Sequence, residues 1–370
     1  MSDFSKDELN QYQRHLTLQG FGLGAQAQLK KSTVLVVGAG GLGCPVLLYL
    51  AAAGVGKIII VDDDTVDVSN LQRQVLYTTL DAGKSKALCA ARRLNELNPY
   101  ITIVPVQERL NRSNALKLIS SCDLVVDGSD NFATRYLVND ACVIAGKPFI
   151  FGAIQGFDGQ VSVFNFRGGP TYRCLFAEPP PAGSVPNCAE AGVLGVLPGL
   201  VGTTQACEAI KVITGVGEVL SGKLWILDAR TMKTLSVALA LNPANLKITE
   251  LPNEDYGKTC DIPMNPIKEI DSPELRKMLK ANPKLQLVDV REGWERELSA
   301  IMPSIHIPLS QLQVAAHPLE ASLNPSETTV IYCAGGVRSL KAAEILRERS
   351  QFKDAISLRG GIKQWEQTAS

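Results

Sequence analysis

A β-branched run, Thr33-Val34-Leu35-Val36-Val37, stops at a glycine. That pattern predicts a buried strand feeding a turn. Cys44 to Ala53 then reads as a helix and Lys57 to Asp62 (Lys-Ile-Ile-Ile-Val-Asp) as a second strand. Strand, glycine turn, helix, strand is a βαβ unit. A helix follows over Lys84 to Leu97, with Ala87, Leu88, Ala91 and Leu94 on one face. Ile101 to Val106 and Leu124 to Asp127 read as further strands. Gln160 to Phe166 alternates apolar and polar residues, which predicts an antiparallel, half-exposed strand. Glu178 to Ala182 reads as a proline-rich loop. The glycine-spaced stretch Gly192 to Gly202 leads into a helix through Ala206, Ile210 and Val212, and Leu224 to Asp228 is a late strand.

From Asn242 to Pro266 the pattern decays among prolines 243, 252, 263 and 266, which reads as a linker. A second α/β pattern then begins, with strands at Leu285 to Val290 and Thr329 to Tyr332 and a helix at Ser339 to Arg349. The division expected is residues 1–245, a linker 246–266, and residues 267–370. No internal repeat is present.

Composition narrows the class. At 370 residues, 45% of them hydrophobic, the chain can bury two cores. Lys+Arg and Asp+Glu are both 37, so no net field favours nucleic acid or an anionic membrane. The most apolar stretch, Leu42 to Val61, contains Pro45, Gly54, Gly56 and Lys57 and does not read as a membrane span. The acidic start, Met1 to Glu8, does not read as a signal peptide, so the expectation is a cytoplasmic protein. The nine cysteines show no framework spacing and read as thiols. Cys44, Cys89, Cys122, Cys142 and Cys207 lie in small, apolar surroundings that predict buried packing. Three histidines (15, 306 and 317) leave little room for a histidine triad or zinc site.

The candidate chemistry starts at Gly38-Ala39-Gly40-Gly41-Leu42-Gly43, a nucleotide turn at a helix N-terminus. Asp62 ends the next strand, where an acid binds ribose hydroxyls. Alone, this fits a nicotinamide or flavin dehydrogenase, or a glycine turn with no ligand. Asn70-Leu71-Gln72-Arg73-Gln74, followed by Lys84 and Lys86, adds basic groups that suit a triphosphate, or that are simply solvated. Asp127-Gly128-Ser129-Asp130-Asn131 sits at a strand's carboxyl end, where a carboxylate could hold Mg²⁺ between phosphates or cap the following helix.

Together these segments resemble the ubiquitin-activating-like adenylyltransferases of sulfur-carrier proteins, the MoeB and ThiF family, from Tyr12-Gln13-Arg14 to about Pro243. The resemblance implies a Rossmann-like adenylation domain. Gly38, Gly40, Gly41 and Gly43 would form the ATP turn, with Asp62 on the ribose. Asn70, Arg73 and Lys86 would contact phosphates, and Asp130 would organise Mg²⁺. Arg14 would reach the phosphates from the second subunit of a homodimer. The substrate implied is the C-terminal Gly-Gly carboxylate of a ubiquitin-like sulfur carrier of the MoaD or ThiS type, converted to an acyl-adenylate. Cys188 resembles a mobile-loop cysteine that attacks the adenylate or resolves a later disulfide. Many relatives bind zinc through two Cys-x-x-Cys pairs. Here the first reads Thr171-Tyr172-Arg173-Cys174 and the second Ala244-Asn245-Leu246-Lys247, so no structural zinc is expected.

The second half carries Leu287-Val288-Asp289-Val290-Arg291-Glu292, Ile307-Pro308-Leu309, Cys333-Ala334-Gly335-Gly336-Val337-Arg338-Ser339 and Arg359-Gly360-Gly361-Ile362-Lys363-Gln364-Trp365. These resemble a rhodanese, a smaller α/β sulfurtransferase domain. Met302-Pro303 departs from the usual His-Ile-Pro-Gly. Amides of Ala334 to Arg338 would nest anionic sulfur on Cys333, and Arg338 would support the loop or add charge. Cys260 resembles a cysteine of fused relatives, or is a plain linker residue. The combination implies adenylation followed by sulfur transfer from a Cys333 persulfide to give a thiocarboxylate. A cysteine desulfurase or thiosulfate would supply the sulfur. Such carriers feed molybdopterin, thiamin, thiolated tRNA or cysteine synthesis. Three other readings stay open: an oxidoreductase with a sulfurtransferase tail, a carrier-binding scaffold, and a conjugation activator acting through a Cys188 thioester.

Overall fold

A computed structural model describes residues 4–179, 192–252, 256, 267–313, 323–348, 352 and 354–368. The chain divides into two compact units, Met1–Thr259 and Cys260–Ser370. Cys188, Cys260 and His317 lie outside the described residues.

In the first unit the βαβ expectation holds. β1 (Thr33–Val37) leads through the glycine turn to α1 (Gly43–Ala53) and β2 (Lys57–Val61). α2 (Lys86–Leu97) and β3 (Thr102–Val106) follow, then β4 (Leu124–Asp127), α3 (Phe132–Ala145) and β5 (Phe149–Gln155). The unit is completed by β6 (Asp158–Phe164), α4 (Leu197–Thr214), β7 (Lys223–Asp228) and β8 (Lys233–Ala238). The strands form one sheet in the order β3-β2-β1-β4-β5-β6-β7-β8. β1 to β5 pair in parallel, and β6 to β8 continue antiparallel. β1 and β4 are almost wholly buried, which explains their unbroken apolar runs.

Chain order places the functional crevice. From β1 the chain steps outward to β2 and β3, then returns to β4 on the other side of β1. The loops leaving β1 and β4 therefore diverge and open a crevice at their carboxyl ends.

Three expectations need correction. β6 is antiparallel but not half-exposed: Ser162, at a polar position, is buried because its hydroxyl donates to the Lys223 carbonyl at 2.8 Å. The helix expected from Lys84 starts at Lys86, capped by the Ser85 hydroxyl. Cys207 is exposed rather than packed, because α4 buries Gln205, Ala206, Glu208 and Ala209 and turns Cys207 outward. Beyond the first unit's strands, Leu251 is buried and Tyr256 donates from its hydroxyl to Asp140 at 2.9 Å.

The second unit is a parallel five-stranded sheet in the order β11-β10-β12-β13-β9. Its elements are β9 (Lys268–Ile270), β10 (Gln286–Asp289), α5 (Gly293–Leu298), β11 (Ile305–His306), β12 (Thr329–Tyr332), α6 (Val337–Glu348), β13 (Ala355–Leu358) and α7 (Gly361–Gln367). Here too the chain leaves β10 for β11 and returns to β12 on the other side. Cys333 is the first residue after β12. Among the described residues no helix is long and apolar enough to cross a membrane.

Burial sets thiol reactivity. It pushes the Cys44 thiol up to about 12 and the Cys122 thiol up to about 11. In the native protein an alkylating reagent should modify Cys207 before Cys44, Cys122 and Cys142, which it should reach only after unfolding. Peptide mapping by mass spectrometry reads this directly, and early labelling of Cys142 would contradict the packing.

Candidate functional sites

In the first unit the crevice is a cleft of about 380 Å³, within the size range of small-molecule sites. Its floor is the approach of β1 to β4. The Gly128 amide donates to the Val37 carbonyl at 2.8 Å. Gly38 has φ +88°, and a Cβ there would stand 2.9 Å from the Gly128 carbonyl oxygen. Only glycine gives both the left-handed conformation and the close contact. Gly38, Gly40 and Gly41 line the cleft, whereas Gly43 is buried as the first residue of α1.

Asp62 holds the turn from the β2 side. Its Oδ2 accepts from the Ala39 amide at 2.7 Å and its Oδ1 from the Asp64 amide at 2.9 Å. Burial raises its pKa against the pull of those amides. A carboxylate has further lone pairs, so the two amides leave room for ligand hydroxyls. Asn70, Arg73 and Lys86 also line the cleft. Arg73 donates from Nη1 to the Ser69 carbonyl at 3.3 Å. Lys86 is buried and pairs with Asp64 at 2.9 Å, so its charge is partly answered before any ligand arrives. Lys84 is exposed and is not part of the lining.

On the β4 side, the capping role open for the Asp127–Asn131 segment falls to Asn131. Asn131 caps α3, accepting from the Thr134 amide at 2.9 Å. Asp130 is exposed at the cleft and makes no hydrogen bond or ion pair with the described residues. No group of three or more His, Cys, Asp or Glu among the described residues could cage a metal. A single open carboxylate beside a phosphate site fits Mg²⁺, which keeps water and phosphate oxygens as its other ligands. Arg14 is exposed on the short helix Gln13–Leu16 and does not line the cleft of its own chain.

Several lining residues went unread in the sequence: Gln74, Arg109, Ser129 and Arg135. Gln74 and Ser129 sit in the Asn70–Gln74 and Asp127–Asn131 segments and carried a signal; Arg109 and Arg135 did not. Tyr77 also braces the turn, donating to the Ala39 carbonyl at 2.8 Å.

Cys174 stands where a metal ligand would be expected. Its sulfur accepts from the amides of Thr171 at 3.3 Å and Asn242 at 3.4 Å, and from Asn245 Nδ2 at 3.5 Å. Burial opposes ionisation, but these hydrogen bonds outweigh it and draw the thiol pKa down. Backbone and asparagine groups thus occupy the positions around this sulfur.

In the second unit Cys333 is buried, and its Sγ accepts from the Gly336 amide at 3.1 Å. Of the five amides expected to nest this sulfur, Gly336 is the one that bonds Sγ here. The Ser339 hydroxyl lies 3.6 Å from Sγ and donates to the Gly336 carbonyl at 2.8 Å. The Gly360-Gly361 pair now has a reason. Gly361 has φ +56°, and a Cβ there would overlap the Cys333 carbonyl oxygen. Its absence lets the start of α7 donate from Ile362 N to Cys333 O at 2.9 Å and from Lys363 N to Ala334 O at 3.3 Å.

Arg338 meets Glu295 through two bonds of 2.7 Å, which raise its own pKa and hold the Glu295 carboxyl below its ordinary value despite burial. This pair ties the loop to α5 and answers the Arg338 charge there. Asp289, fully buried, receives Arg291 Nη2 at 2.7 Å and the Tyr332 hydroxyl at 2.8 Å. Those partners overcome burial and lower its pKa.

Comparison with known proteins agrees with both halves. Residues 12–247 match the ThiF family and residues 271–368 the rhodanese-like domain. The chain is 45% identical, over 98% of its length and 94% of the relative's, to a Mycobacterium tuberculosis protein named probable adenylyltransferase/sulfurtransferase MoeZ. It is 53% identical, over 70% of its length and 99% of the relative's, to a Thermus thermophilus protein named sulfur carrier protein adenylyltransferase. Escherichia coli MccB, solved with MccA-N7isoASN, shares the fold at TM-score 0.57 and 23% identity, covering 67% of this chain and 76% of that one. With its adenylation-type cleft, its cysteine loop and these matches, the chain belongs to the ThiF family and carries a rhodanese-like domain after it.

Proposed function

We propose that this enzyme adenylates the C-terminal carboxylate of a ubiquitin-like sulfur carrier and then delivers sulfur to it. The observation that carries the reading is one chain with two sites. One is a cleft with an unpaired Asp130 facing a glycine turn and basic side chains. The other is a buried Cys333 seated on a backbone amide. The relatives named above are adenylyltransferases, which favours this reading over hydride transfer.

In the first step the carrier carboxylate attacks the α-phosphorus of ATP. The bond to the β-phosphate oxygen breaks, and pyrophosphate leaves. The Gly38–Leu42 backbone and Asp62 orient the nucleotide, and Asn70, Arg73 and Lys86 hold the phosphates. Asp130 would hold Mg²⁺, which neutralises charge on the departing pyrophosphate. Arg14 reaches the phosphates of a second copy in a homodimer.

In the second unit a cysteine desulfurase persulfide or thiosulfate passes one sulfur atom to Cys333. The terminal sulfur attacks the acyl carbon, the carbon–oxygen bond to AMP breaks, and an acyl disulfide forms. Attack of the Cys188 thiolate on Cys333 Sγ releases the thiocarboxylate and leaves a Cys188–Cys333 disulfide, which a cellular thiol reduces. A reducing cytoplasm suits these thiols. The reading is tested by ATP–pyrophosphate exchange with purified carriers ending in Gly-Gly. Exchange with none of them would remove it.

Asp130→Ala should lower exchange at least about a hundredfold. Arg14→Ala should also slow it, yet mixing the two variants should recover about a quarter of wild-type activity. Random reassortment makes about half the dimers mixed, each with one intact site. Absence of recovery in reassorted dimers would rule out the shared site.

Cys333→Ala should keep pyrophosphate exchange and lose thiocarboxylate formation, at least about a hundredfold. The mass of the carrier reports this, because one carboxyl oxygen is replaced by sulfur. Wild-type yield from the same donor would remove the second unit from the reaction.

The Cys174 environment supplies one thiol where a structural zinc needs about four ligands. Protein purified without chelators should contain no stoichiometric zinc. About one zinc per chain, lost on Cys174→Ala, would reverse this.

A further inference from the structure

Three cleft-lining residues, Gln74, Ser129 and Arg135, each carry a buried polar atom without a partner, and two of them stand on the β4 side. Ser129 and Arg135 are each 8% exposed, and Ser129 Oγ and Arg135 Nε make no hydrogen bond. Both residues line the cleft, and both come from the chain that leaves β4. The phosphate-side residues Asn70, Arg73 and Lys86 come from the chain that leaves β2, on the other side of β1. Ile154, near the end of β5, lines the β4 side as well.

Arg135 is held rigidly. Its guanidinium carbon lies 5.4 Å from the Phe132 ring centre and 5.5 Å from that of Phe151. Such contacts fix the plane without consuming N–H donors. Of those donors, Nη2 gives a bond of 3.3 Å to the Ser129 carbonyl. The Asp127 carboxyl shares this corner, fully buried, with Oδ1 accepting from the Ser129 amide at 2.9 Å and Oδ2 unpaired. Burial raises the Asp127 pKa, against the opposing pull of the Arg135 charge.

A preset guanidinium with a free N–H, a free hydroxyl and an apolar neighbour fit a planar anion at the end of an extended chain. We propose that Arg135 and Ser129 form the subsite for the acceptor carboxylate, holding its non-reacting oxygen while the other attacks the α-phosphorus. No proton moves in this step. The new bond joins carboxylate oxygen to phosphorus, and pyrophosphate takes the electron pair of the bond that breaks. The assignment rests on the adenylation reading and names its second substrate pocket.

The test compares a carrier ending in Gly-Gly carboxylate with the same carrier ending in a carboxamide, each titrated onto the full chain with a nonhydrolysable ATP analogue. Wild type should prefer the acid by about tenfold. Arg135→Gln and Ser129→Ala should lose that preference while ATP binding stays within about twofold. In pyrophosphate exchange, Arg135→Gln should raise the KM for the carrier and leave the KM for ATP nearly unchanged, and Arg135→Lys should restore part of the effect. Should Arg135→Gln fail to fold, Ser129→Ala, which removes one oxygen, decides through the acid-over-amide ratio. An undiminished ratio in Ser129→Ala and in whichever Arg135 variant folds overturns this assignment alone. Absence of exchange by the wild type with every Gly-Gly carrier overturns the adenylation reading and this assignment with it.

Discussion

The cleft depends on a backbone contact between two parallel strands. The Gly128 amide meets the Val37 carbonyl, and the Gly38 Cα packs against Gly128 with no space for a side chain. This contact brings the turn after β1 and the loop after β4 to the same depth in the sheet. Most of the polar lining hangs from these two loops or from the chain after β2, with Glu108 and Arg109 added from the chain after β3. Asp62 reaches across to the Ala39 amide, and Gln205, from α4, donates to the Asp127 carbonyl at 2.7 Å. A side chain at Gly38 would separate the loops and misplace Asp130 relative to the turn, without touching any ligand atom itself.

The second unit solves a similar problem with other means. Its reactive residue also follows a central parallel strand beside the point where chain order reverses. Its cations, however, are committed to carboxylates: Arg338 to Glu295, and Arg291 to Asp289. The Cys333 loop is held by α7 amides on its carbonyls, which Gly361 permits. Cys333 Sγ meets the Gly336 amide, whereas the first unit presents Arg73, and Lys86 paired with Asp64, to its cleft.

The local part of this design was legible in the sequence. β1, the glycine turn, α1 and β2 follow one another directly, and their apolar runs reflect burial on both faces. Asp62 and Asp130 could be marked because they follow buried strands, while Asn70, Arg73 and Lys86 took their roles from the family resemblance. Arg135 could not be marked, and Ser129 stood inside the Asp127–Asn131 segment with nothing to mark its unpaired hydroxyl. Arg135 looks like any helix-surface arginine until Phe132 and Phe151 are seen to enclose it, and Phe151 belongs to another strand. Ser162 and Cys207 misled for the same kind of reason. Ser162 is polar yet buried because a distant strand offers it a carbonyl, and Cys207 has apolar neighbours in sequence but the solvent side of α4 in space.

The contrast in charge bears on how one chain can run two chemistries. A phosphate chain is drawn to cations and to turn amides, and the first unit supplies Arg73, Lys86 (shared with Asp64) and the glycine turn in one place. The Cys333 loop instead has its nearest guanidinium neutralised by a half-buried carboxylate. Pyrophosphate leaving the first site therefore gains little from the second. A persulfide sulfur has one negative charge at most and a large, polarisable radius, so a single amide at 3.1 Å on its neighbouring Sγ suits it better than a cluster of cations. The Arg338–Glu295 pair thus ties the start of α6 to α5 with a guanidinium whose charge is already met.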